Sequence, residues 1–171
     1  MTSVPVTLCF LLREHPEAGP EVLLGLKRTG FGTGKIVGLG GHVEVGETDA
    51  QAACREVLEE AGVVVLEEDL SDAGTVEFVF PARPDWNMST RLFITRRWAG
   101  DPVESSEIIP EWFLVSALPL ERMWQDAEHW LPLALAGSVV DAVITLNDDN
   151  ETVASAEYSF RACNRPFPGG N

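Results

Sequence analysis

Apolar runs of strand length, separated by polar, glycine-rich or proline-rich turns, predict a chain built mainly from β-strands. The predicted strands are 4–12, 22–28, 35–39, 63–65, 76–80, 88–96, 109–115, 139–146 and 153–160. The last two alternate apolar and polar residues and flank the polar turn 147–150, a pattern typical of a β-hairpin. The predicted connections are a turn at 14–20, the three-glycine loop 29–34, an acidic turn at 67–72, a proline-containing loop at 81–87 and an acidic loop at 102–107.

Two segments carry helix signals instead. Residues 48–61 can form one helix, with Thr48 as its N-cap and Gly62 as its stop. Apolar residues recur at helical spacing within 123–135, where Asp126 is placed to cap a helix. Strands around a small number of helices, without regular alternation of strand and helix, predict an α+β or mixed layered domain.

Length and charge limit the kind of protein. A chain of 171 residues is long enough for one domain with a substantial core, which we assign to residues 1–162, and the proline- and glycine-rich end 163–171 is predicted to be a flexible tail. The net charge of −15 argues against a nucleic-acid polymer as partner, because phosphate backbones are bound by a surplus of Lys and Arg. A small phosphorylated ligand is compatible with this charge if metal ions neutralise it. The sequence does not indicate an oligomeric state.

Cysteine usage and hydropathy bear on the cellular compartment. Cys9, Cys54 and Cys163 form neither a C-x-x-C pair nor an even-numbered framework, which favours reduced thiols. The N-terminal apolar run is shorter than a membrane span and follows no basic segment. We therefore expect a cytoplasmic protein without a membrane partner.

The predicted helix 48–61 concentrates negative charge on one face. Glu56 and Glu60 are one helical turn apart and Glu59 is beside them, although like charges at this spacing destabilise a helix by about 0.2–0.5 kcal/mol per pair. Arg55 is placed to pair with Glu59, which leaves Glu56 and Glu60 without a partner. Hard oxygen ligands at this density suit Mg²⁺ or Mn²⁺. The alternative is that the glutamates form only a solvated face.

The context of these glutamates favours the metal site. The stretch 41–63, GHVEVGETDAQAACREVLEEAGV, resembles the Nudix box of the Nudix hydrolases at every position that this motif specifies. The resemblance extends to the mammalian-type diphosphatases of oxidised purine nucleoside triphosphates such as 8-oxo-dGTP, in LLGLKRTGFGTGK at 23–35, GDPVESSEIIPEWF at 100–113 and LPLERMWQDAEHWLPL at 118–133. It implies the Nudix fold, a mixed β-sheet sandwiched between α-helices.

The resemblance also implies roles for single residues. The implied metal ligands are Glu56, Glu60 and the main-chain carbonyl of Gly40, with Glu107 approaching the metal site. Glu59 is implied either as a ligand or as a group near the ligands, and its contact with Arg55 is the competing role. Glu47 and Arg55 resemble a pair that holds a loop against the helix, and Lys27 resembles a residue near the phosphates. The implied reaction is attack of water on a phosphorus of the triphosphate, with Glu56 or Glu107 as the base.

A second set of residues matches positions that contact the purine in this branch. The set is Thr7, Phe31, Met88, Trp124 and Asp126. An indole face contributes about 1–3 kcal/mol of stacking per base, although Trp124 could instead be a core residue. Val37 and Ala127 depart from the branch, which has an asparagine and a second aspartate at these positions. Because buried polar pairing carries most of the discrimination between bases, these departures bear on the choice of substrate.

Three functions follow from these residues. The first is Mg²⁺-dependent hydrolysis of an oxidised purine nucleoside triphosphate to the monophosphate and pyrophosphate, which sanitises the nucleotide pool. The second is hydrolysis of another nucleoside diphosphate derivative, such as ADP-ribose, a dinucleotide or a nucleotide sugar. The third is a catalytically silent Nudix domain that binds a nucleotide. The intact set of three helix glutamates argues against the third, because a silent domain has no need of such a charge cluster.

Overall fold

Strand pairing organises most of the chain. The structure is a computed structural model that describes residues 3–163, which form one nine-stranded sheet and two α-helices. The strands are β1 (Val4–His15), β2 (Gly19–Lys27), β3 (Ile36–Val37), β4 (Leu39–His42), β5 (Ser71–Val79), β6 (Met88–Thr95), β7 (Ile108–Leu114), β8 (Ser138–Leu146) and β9 (Val153–Ala162). The helices are α1 (Asp49–Ala61) and α2 (Ala127–Leu135).

The sheet is mixed. Its order is β3-β2-β1-β6-β5-β8-β9, with β4 paired to β1 and β7 paired to β2. The β1–β6 and β5–β8 pairs are parallel and the others are antiparallel. Strand β1 changes partner along its length, because its first half pairs with β4 and its second half with β2. This change brings β4 beside α1.

Side-chain alternation on β1 separates two cores. Cys9 and Leu11 pack with α1, whereas Phe10 and Leu12 belong to the cluster that contains α2. The sheet is therefore covered by one helix on each face, and the predicted α+β fold with a mixed sheet between helices is confirmed. No helix within residues 3–163 combines the length and the hydropathy needed to cross a bilayer.

Most predicted elements are present, with shifted ends. The hairpin of β8 and β9 and the helix ending at Gly62 are confirmed. The predicted strand 63–65 is wrong, because in this segment only Val64 forms an isolated bridge, with Ala99. The predicted turn 14–20 is shorter than expected, since β1 continues to His15 and β2 begins at Gly19. Of the predicted tail, residues 164–171 lie outside the described residues.

Local chemistry fixes the ends of α1. Thr48 and Gln51 form a reciprocal capping box, in which the Gln51 N–H donates to Thr48 Oγ1 at 3.1 Å and the Thr48 N–H donates to Gln51 Oε1 at 2.9 Å. Gly62 ends the helix in the left-handed region, with φ of 69°, and its N–H donates to the Leu58 carbonyl. The register of the helix glutamates is therefore set by residues within the helix itself.

We expect Thr48→Ala to lower the free energy of unfolding by about 1 kcal/mol, because the first turn of α1 loses a hydrogen-bond acceptor. Denaturant unfolding measures this loss. Thr48→Ser, which keeps the hydroxyl, serves as the control and should stay close to the wild type. Equal unfolding midpoints for the alanine and serine variants would contradict the capping role.

Candidate active site

Helix α1 directs two glutamates inward and one outward. The Glu60 side chain is buried, at 6% exposure, and Glu56 is half-buried, whereas Glu59 is exposed. Helical spacing explains these differences in exposure. The buried side chains of α1 face the sheet, and Glu56 and Glu60 lie beside them. These buried side chains include Ala53, Val57 and Ala61. The carboxylates therefore enter the interface between α1 and the sheet from one side.

The backbone of β4 approaches these carboxylates closely. The Gly40 N–H donates to Glu60 Oε1 at 2.7 Å. A Cβ added to Gly41 would lie 2.5 Å from Glu56 Oε1, and one added to Gly40 would collide with the Thr7 carbonyl oxygen. Gly40 is thus required by backbone packing, and a side chain at Gly41 would displace the Glu56 carboxylate. This packing places the main chain of Gly40 next to the glutamates, as the prediction of its carbonyl as a ligand requires.

Arg55 connects the helix to the loop before it. Its Nη2 and Nε donate to the two carboxylate oxygens of Glu47 at 2.7 and 3.0 Å, and Nη2 also donates to the His42 carbonyl at 2.9 Å. The predicted Glu47–Arg55 pair is therefore present as a two-pronged ion pair. Because Arg55 is held by this loop, its remaining nitrogen has a fixed position relative to α1.

That remaining nitrogen, Arg55 Nη1, contacts two helix glutamates. It donates to Glu56 Oε1 at 3.0 Å and to Glu59 Oε2 at 3.2 Å. The predicted contact between Arg55 and Glu59 is confirmed, and the role of Glu59 as a ligand stays a prediction. One guanidinium thus offsets part of the charge of α1, while Glu60 Oε1 accepts from the uncharged Gly40 N–H.

Burial leaves Glu60 reluctant to ionise. The pKa of its carboxyl is raised to about 8, mainly by burial and further by the negative charge of Glu56 and of Glu107. The Gly40 N–H and the positive charge of Lys27 act in the opposite direction. The pKa of Glu56 is also raised, again mainly by burial, against the effect of Arg55. A cation bound here would favour the ionised form of both carboxylates.

Lys27 and Glu107 reach this region through strand pairing. Lys27 ends β2 in register with Ile108 of β7, and the Arg28 N–H donates to the Glu107 carbonyl at 2.8 Å. The charges of Lys27 and Glu107 both act on Glu60. The structure therefore brings together the predicted group of helix glutamates, Gly40, Lys27 and Glu107, although these residues are far apart in sequence.

The donor set fits a hard divalent cation. Carboxylates outnumber cationic side chains in the cluster, and their oxygens are the ligand type that Mg²⁺ and Mn²⁺ prefer. Within residues 3–163, no group of three His, Cys, Asp or Glu side chains already converges as a finished ligand set. In this arrangement Arg55 Nη1 donates to Glu56 Oε1 and the Gly40 N–H donates to Glu60 Oε1. Metal binding would replace or rearrange these donors.

A cavity of about 360 Å³ adjoins the carboxylates. Glu60 and Gly40 line it, so it is continuous with the charged cluster. Its lining includes every predicted substrate-contacting residue except Thr7, namely Lys27, Phe31, Val37, Met88, Trp124 and Asp126. Its wall is largely apolar, which is typical of pockets that take a flat organic group.

Aromatic side chains form the mouth of this cavity. The rings of Phe31 and Trp124 are stacked, with centroids 5.0 Å apart and an interplanar angle of 18°. Lys35 Nζ lies 4.6 Å from the centre of the Trp124 ring. Trp124 is only partly buried, whereas Trp130 is the tryptophan of the core at 4% exposure. The pocket interpretation of Trp124 is thus favoured over the core interpretation.

Asp126 does not cap α2, and that prediction is wrong. Its backbone is already helical, at φ −64° and ψ −25°, and its side chain makes no capping hydrogen bond. Instead, its Oδ2 accepts from Trp130 Nε1 at 2.8 Å. Burial raises the pKa of the Asp126 carboxyl. The buried carboxyl thus faces the cavity as a hydrogen-bonding group, and when protonated it can donate as well as accept.

Thr7 is not brought to the cavity. Val6 and Leu8 line it, and strand alternation directs the intervening side chain to the opposite face of the sheet, where α1 packs. The side chain of Thr7 is fully buried there, and its Oγ1 lacks a hydrogen-bond partner. The structure therefore does not bring Thr7 together with the other residues predicted to contact a purine.

Sequence reasoning missed one wall of the cavity. The turn between β8 and β9 reaches it through Asn150 and Glu151, and Glu151 forms an ion pair with Lys35 at 3.2 Å. Thr90 of β6 also lines the cavity. The hairpin itself was predicted, but no local pattern indicates which distant surface its turn contacts.

Comparison with known proteins identifies the family of the chain. Residues 2–134 match the family model described as NUDIX domain. The chain is 43% identical over 115 residues to the oxidized purine nucleoside triphosphate hydrolase of Danio rerio, which covers 67% of this chain and 72% of the relative. It is 40% identical over 134 residues to the protein of the same name from Mus musculus, covering 78% and 81%.

A solved structure shares the fold. The mutator MutT protein of Bacillus halodurans superposes with a TM-score of 0.72 at 23% sequence identity, covering 92% of this chain and 97% of that one. At this level of identity the likeness concerns the fold alone.

The raised pKa of Glu60 gives the metal-free protein a pH-dependent stability. The folded state holds a proton on Glu60 that the unfolded state releases near pH 4.5, so stability is complete below that pH and falls as the pH rises toward 8. We expect Glu60→Gln, which carries no charge at any pH, to exceed the wild type by more than about 1 kcal/mol at pH 8 in a chelating buffer. At pH 4.5 the difference should be small.

Denaturant unfolding at several pH values tests this expectation. Glu68→Gln, at an exposed glutamate outside the site, is the control and should keep the wild-type pH dependence. If Glu60→Gln kept that dependence too, Glu60 would not be the group that titrates.

Proposed function

The chain belongs to the NUDIX domain family, and from this membership we propose that it hydrolyses oxidised purine nucleoside triphosphates, such as 8-oxo-dGTP, to the monophosphate and pyrophosphate. Such a hydrolase removes damaged nucleotides before a polymerase incorporates them. One observation carries the proposal, namely that an aromatic-rimmed cavity opens directly onto the glutamates of α1 through Glu60 and Gly40. A nucleotide needs an apolar, aromatic pocket for its base and a metal-binding cluster for its phosphates, next to each other.

The residues around Glu60 suit the phosphate end of the substrate. Glu56, Glu60, Glu107 and the Gly40 carbonyl would hold Mg²⁺, which when bound neutralises phosphate charge and makes a coordinated water more acidic. Lys27 contributes a positive charge where the triphosphate would lie. Glu47 and Arg55 keep α1 in position, which is an orienting role rather than a chemical one.

The proposed reaction is a displacement at phosphorus. A water oxygen attacks a phosphorus of the triphosphate, its proton passes to the carboxylate of Glu56 or Glu107, and the P–O bond to pyrophosphate breaks. The raised pKa of Glu56 supports a role in proton transfer, because a base is most effective when its pKa is near the working pH. Trp124 and Phe31 would stack on the purine and hold the triphosphate in register with the glutamates.

The cavity also bears on which base is preferred. Val37 and Ala127 line it, so two positions that are polar in the related branch are apolar here. Asp126 keeps its place as a buried hydrogen-bonding group. An oxidised adenine nucleotide is therefore a second substrate to test beside 8-oxo-dGTP, together with ADP-ribose as a representative of the diphosphate derivatives.

We expect pyrophosphate, and not inorganic phosphate, to be released from an oxidised purine triphosphate in Mg²⁺ and not with chelator. Glu56→Gln and Glu60→Gln should each lower kcat by about 100-fold or more, because each removes a carboxylate from the metal site. Circular dichroism should show an intact fold, and Glu68→Gln should retain activity. Near-normal turnover in both site variants would contradict the ligand assignment, and turnover of ADP-ribose alone would contradict the substrate.

We expect Trp124→Ala to raise KM for the nucleotide by about tenfold with a smaller change in kcat, because it removes base stacking and leaves the glutamates in place. Steady-state kinetics measure this split. Trp124→Phe restores an aromatic face and should recover much of the affinity. An unchanged KM combined with a lower Tm would instead indicate that Trp124 is a packing residue.

A further inference from the structure

Two buried polar atoms of the cavity lack a partner. They are Oγ1 of Thr90 and Oδ1 of Asn150, and both residues line the cavity. Thr90 is only 2% exposed. Among residues 3–163 the third such side-chain atom is Oγ1 of Thr7, which lies outside the cavity. Buried polar atoms in proteins are nearly always hydrogen-bonded, so two exceptions in one cavity indicate a missing ligand.

The position of Thr90 in the sheet makes its hydroxyl unusual. Its neighbours in register are Val6 on β1 and Val76 on β5. Valine has nearly the same shape as threonine and would fill this position without leaving a hydroxyl unpaired. The hydroxyl therefore lowers the stability of the free protein, and packing does not explain its presence.

The turn between β8 and β9 holds Asn150 in a fixed conformation. Asn150 has φ of 57°, in the left-handed region, and its N–H donates to the Asn147 carbonyl at 2.9 Å. The Asp149 carboxylate accepts from the Glu151 and Thr152 N–H groups at 2.9 and 2.8 Å, and from Thr152 Oγ1 at 2.7 Å. A turn with this many internal hydrogen bonds fixes the backbone of Asn150 and so restricts where its side chain can reach.

The same turn is tied to the other walls of the cavity. Glu151 pairs with Lys35, which lies over the Trp124 ring, and the Val153 N–H donates to the Gln125 side chain just before α2. Asn150 thus lies in a turn that neighbouring contacts hold against the cavity wall. Its free oxygen is an acceptor, so the partner it lacks is a hydrogen-bond donor, and the donors that a purine base offers are N–H groups.

We propose that Thr90 and Asn150 determine base specificity by hydrogen-bonding the nucleobase, with an N–H of the base donated to Asn150 Oδ1. This inference rests on the proposed function, because it takes the cavity as the base pocket. Hydrogen-bonding capacity is absent at Val37 and Ala127 and is present at Thr90 and Asn150, with Asp126 as a third group. The substrate class is therefore a purine with an exocyclic amino group or a ring N–H.

Equilibrium binding without turnover tests the inference. The first probe is an oxidised monophosphate, either 8-oxo-dGMP or 2-hydroxy-dAMP, whichever binds the wild type more tightly. The second probe is purine 2′-deoxyriboside 5′-monophosphate, whose base carries neither an amino group nor a ring N–H. Calorimetry in a chelating buffer measures Kd for the wild type, Thr90→Val and Asn150→Gly. Glycine tolerates the left-handed backbone of residue 150, so the second variant removes the amide without straining the turn.

Each variant has a matched control. Thr95→Val removes a buried threonine hydroxyl from the same strand, outside the cavity, where the hydroxyl donates to the Arg97 carbonyl. Asp148→Gly adds a glycine to the same turn at an exposed position. Thr90→Val should raise the Tm of the free protein because it removes an unpaired buried hydroxyl, and Thr95→Val should lower it.

We expect Thr90→Val and Asn150→Gly each to weaken binding of the oxidised monophosphate by about tenfold, because each leaves a polar group of the base unpaired. Binding of the unsubstituted purine should change little in Asn150→Gly, and neither control variant should change either Kd. Wild-type affinity for the oxidised monophosphate in both variants would overturn the inference, as would failure of the wild-type protein to bind any of the probes.

The outcome is separable from that of the proposed function. If the wild type turns over an oxidised triphosphate while both variants bind like the wild type, only the inference fails. If no triphosphate is hydrolysed but the monophosphate binds and the two variants weaken it, the inference stands and the proposed reaction fails.

Discussion

The packing of two glutamates on α1 against the glycine backbone of β4 is the contact on which the rest of the site depends. The Gly40 N–H donates to the buried carboxylate of Glu60, and the absence of a side chain at Gly41 leaves room for the carboxylate of Glu56. β4 reaches this position because β1 exchanges one partner for another along its length. The strand pairing of the sheet therefore places the two glycines of β4 against the glutamates of α1.

The site combines groups that destabilise the free protein with groups that hold them in place. Like charges on α1 and a carboxyl whose pKa is raised by burial both cost folding free energy. Arg55 and Glu47 offset part of this cost and also fix the loop before the helix. Strain of this kind is typical of a surface that becomes complete only when a ligand is bound.

Local signals in the sequence were sufficient for some of these features. The N-cap at Thr48, the stop at Gly62 and the pairing of Arg55 with Glu59 all involve residues close in sequence. The pairing of Arg55 with Glu47 is also present, but it is implied by the resemblance to the Nudix box. Where a local rule met a tertiary contact, the tertiary contact prevailed. Aspartate is a residue type that commonly caps helices, but the carboxylate of Asp126 accepts a hydrogen bond from the indole N–H of Trp130 instead.

Other features depend on the pairing of distant segments and leave no local trace. The pleat of β1 turns Thr7 away from the cavity, and nothing in the residues around it fixes which face of the sheet will carry the pocket. Asn150 reaches the cavity because β8 pairs in parallel with β5 and the hairpin then folds over the open side. The motif around Glu56 and Glu60 indicates the chemistry, whereas the cavity is assembled from several separate stretches of chain between Val6 and Glu151.

The surplus of carboxylates also affects how a nucleotide arrives. The protein has a net charge of −15 and therefore repels a free triphosphate, which is also negatively charged. The glutamates beside the cavity are the negative charges nearest to the bound position of the nucleotide. A triphosphate that already carries a divalent cation is less repelled, so the encounter favours the chelated form. At physiological ionic strength, salt limits the range of the repulsion to about 8 Å. Added salt therefore speeds association of the nucleotide with this protein. It slows association for nucleotide-binding proteins with basic surfaces, because there it screens an attraction.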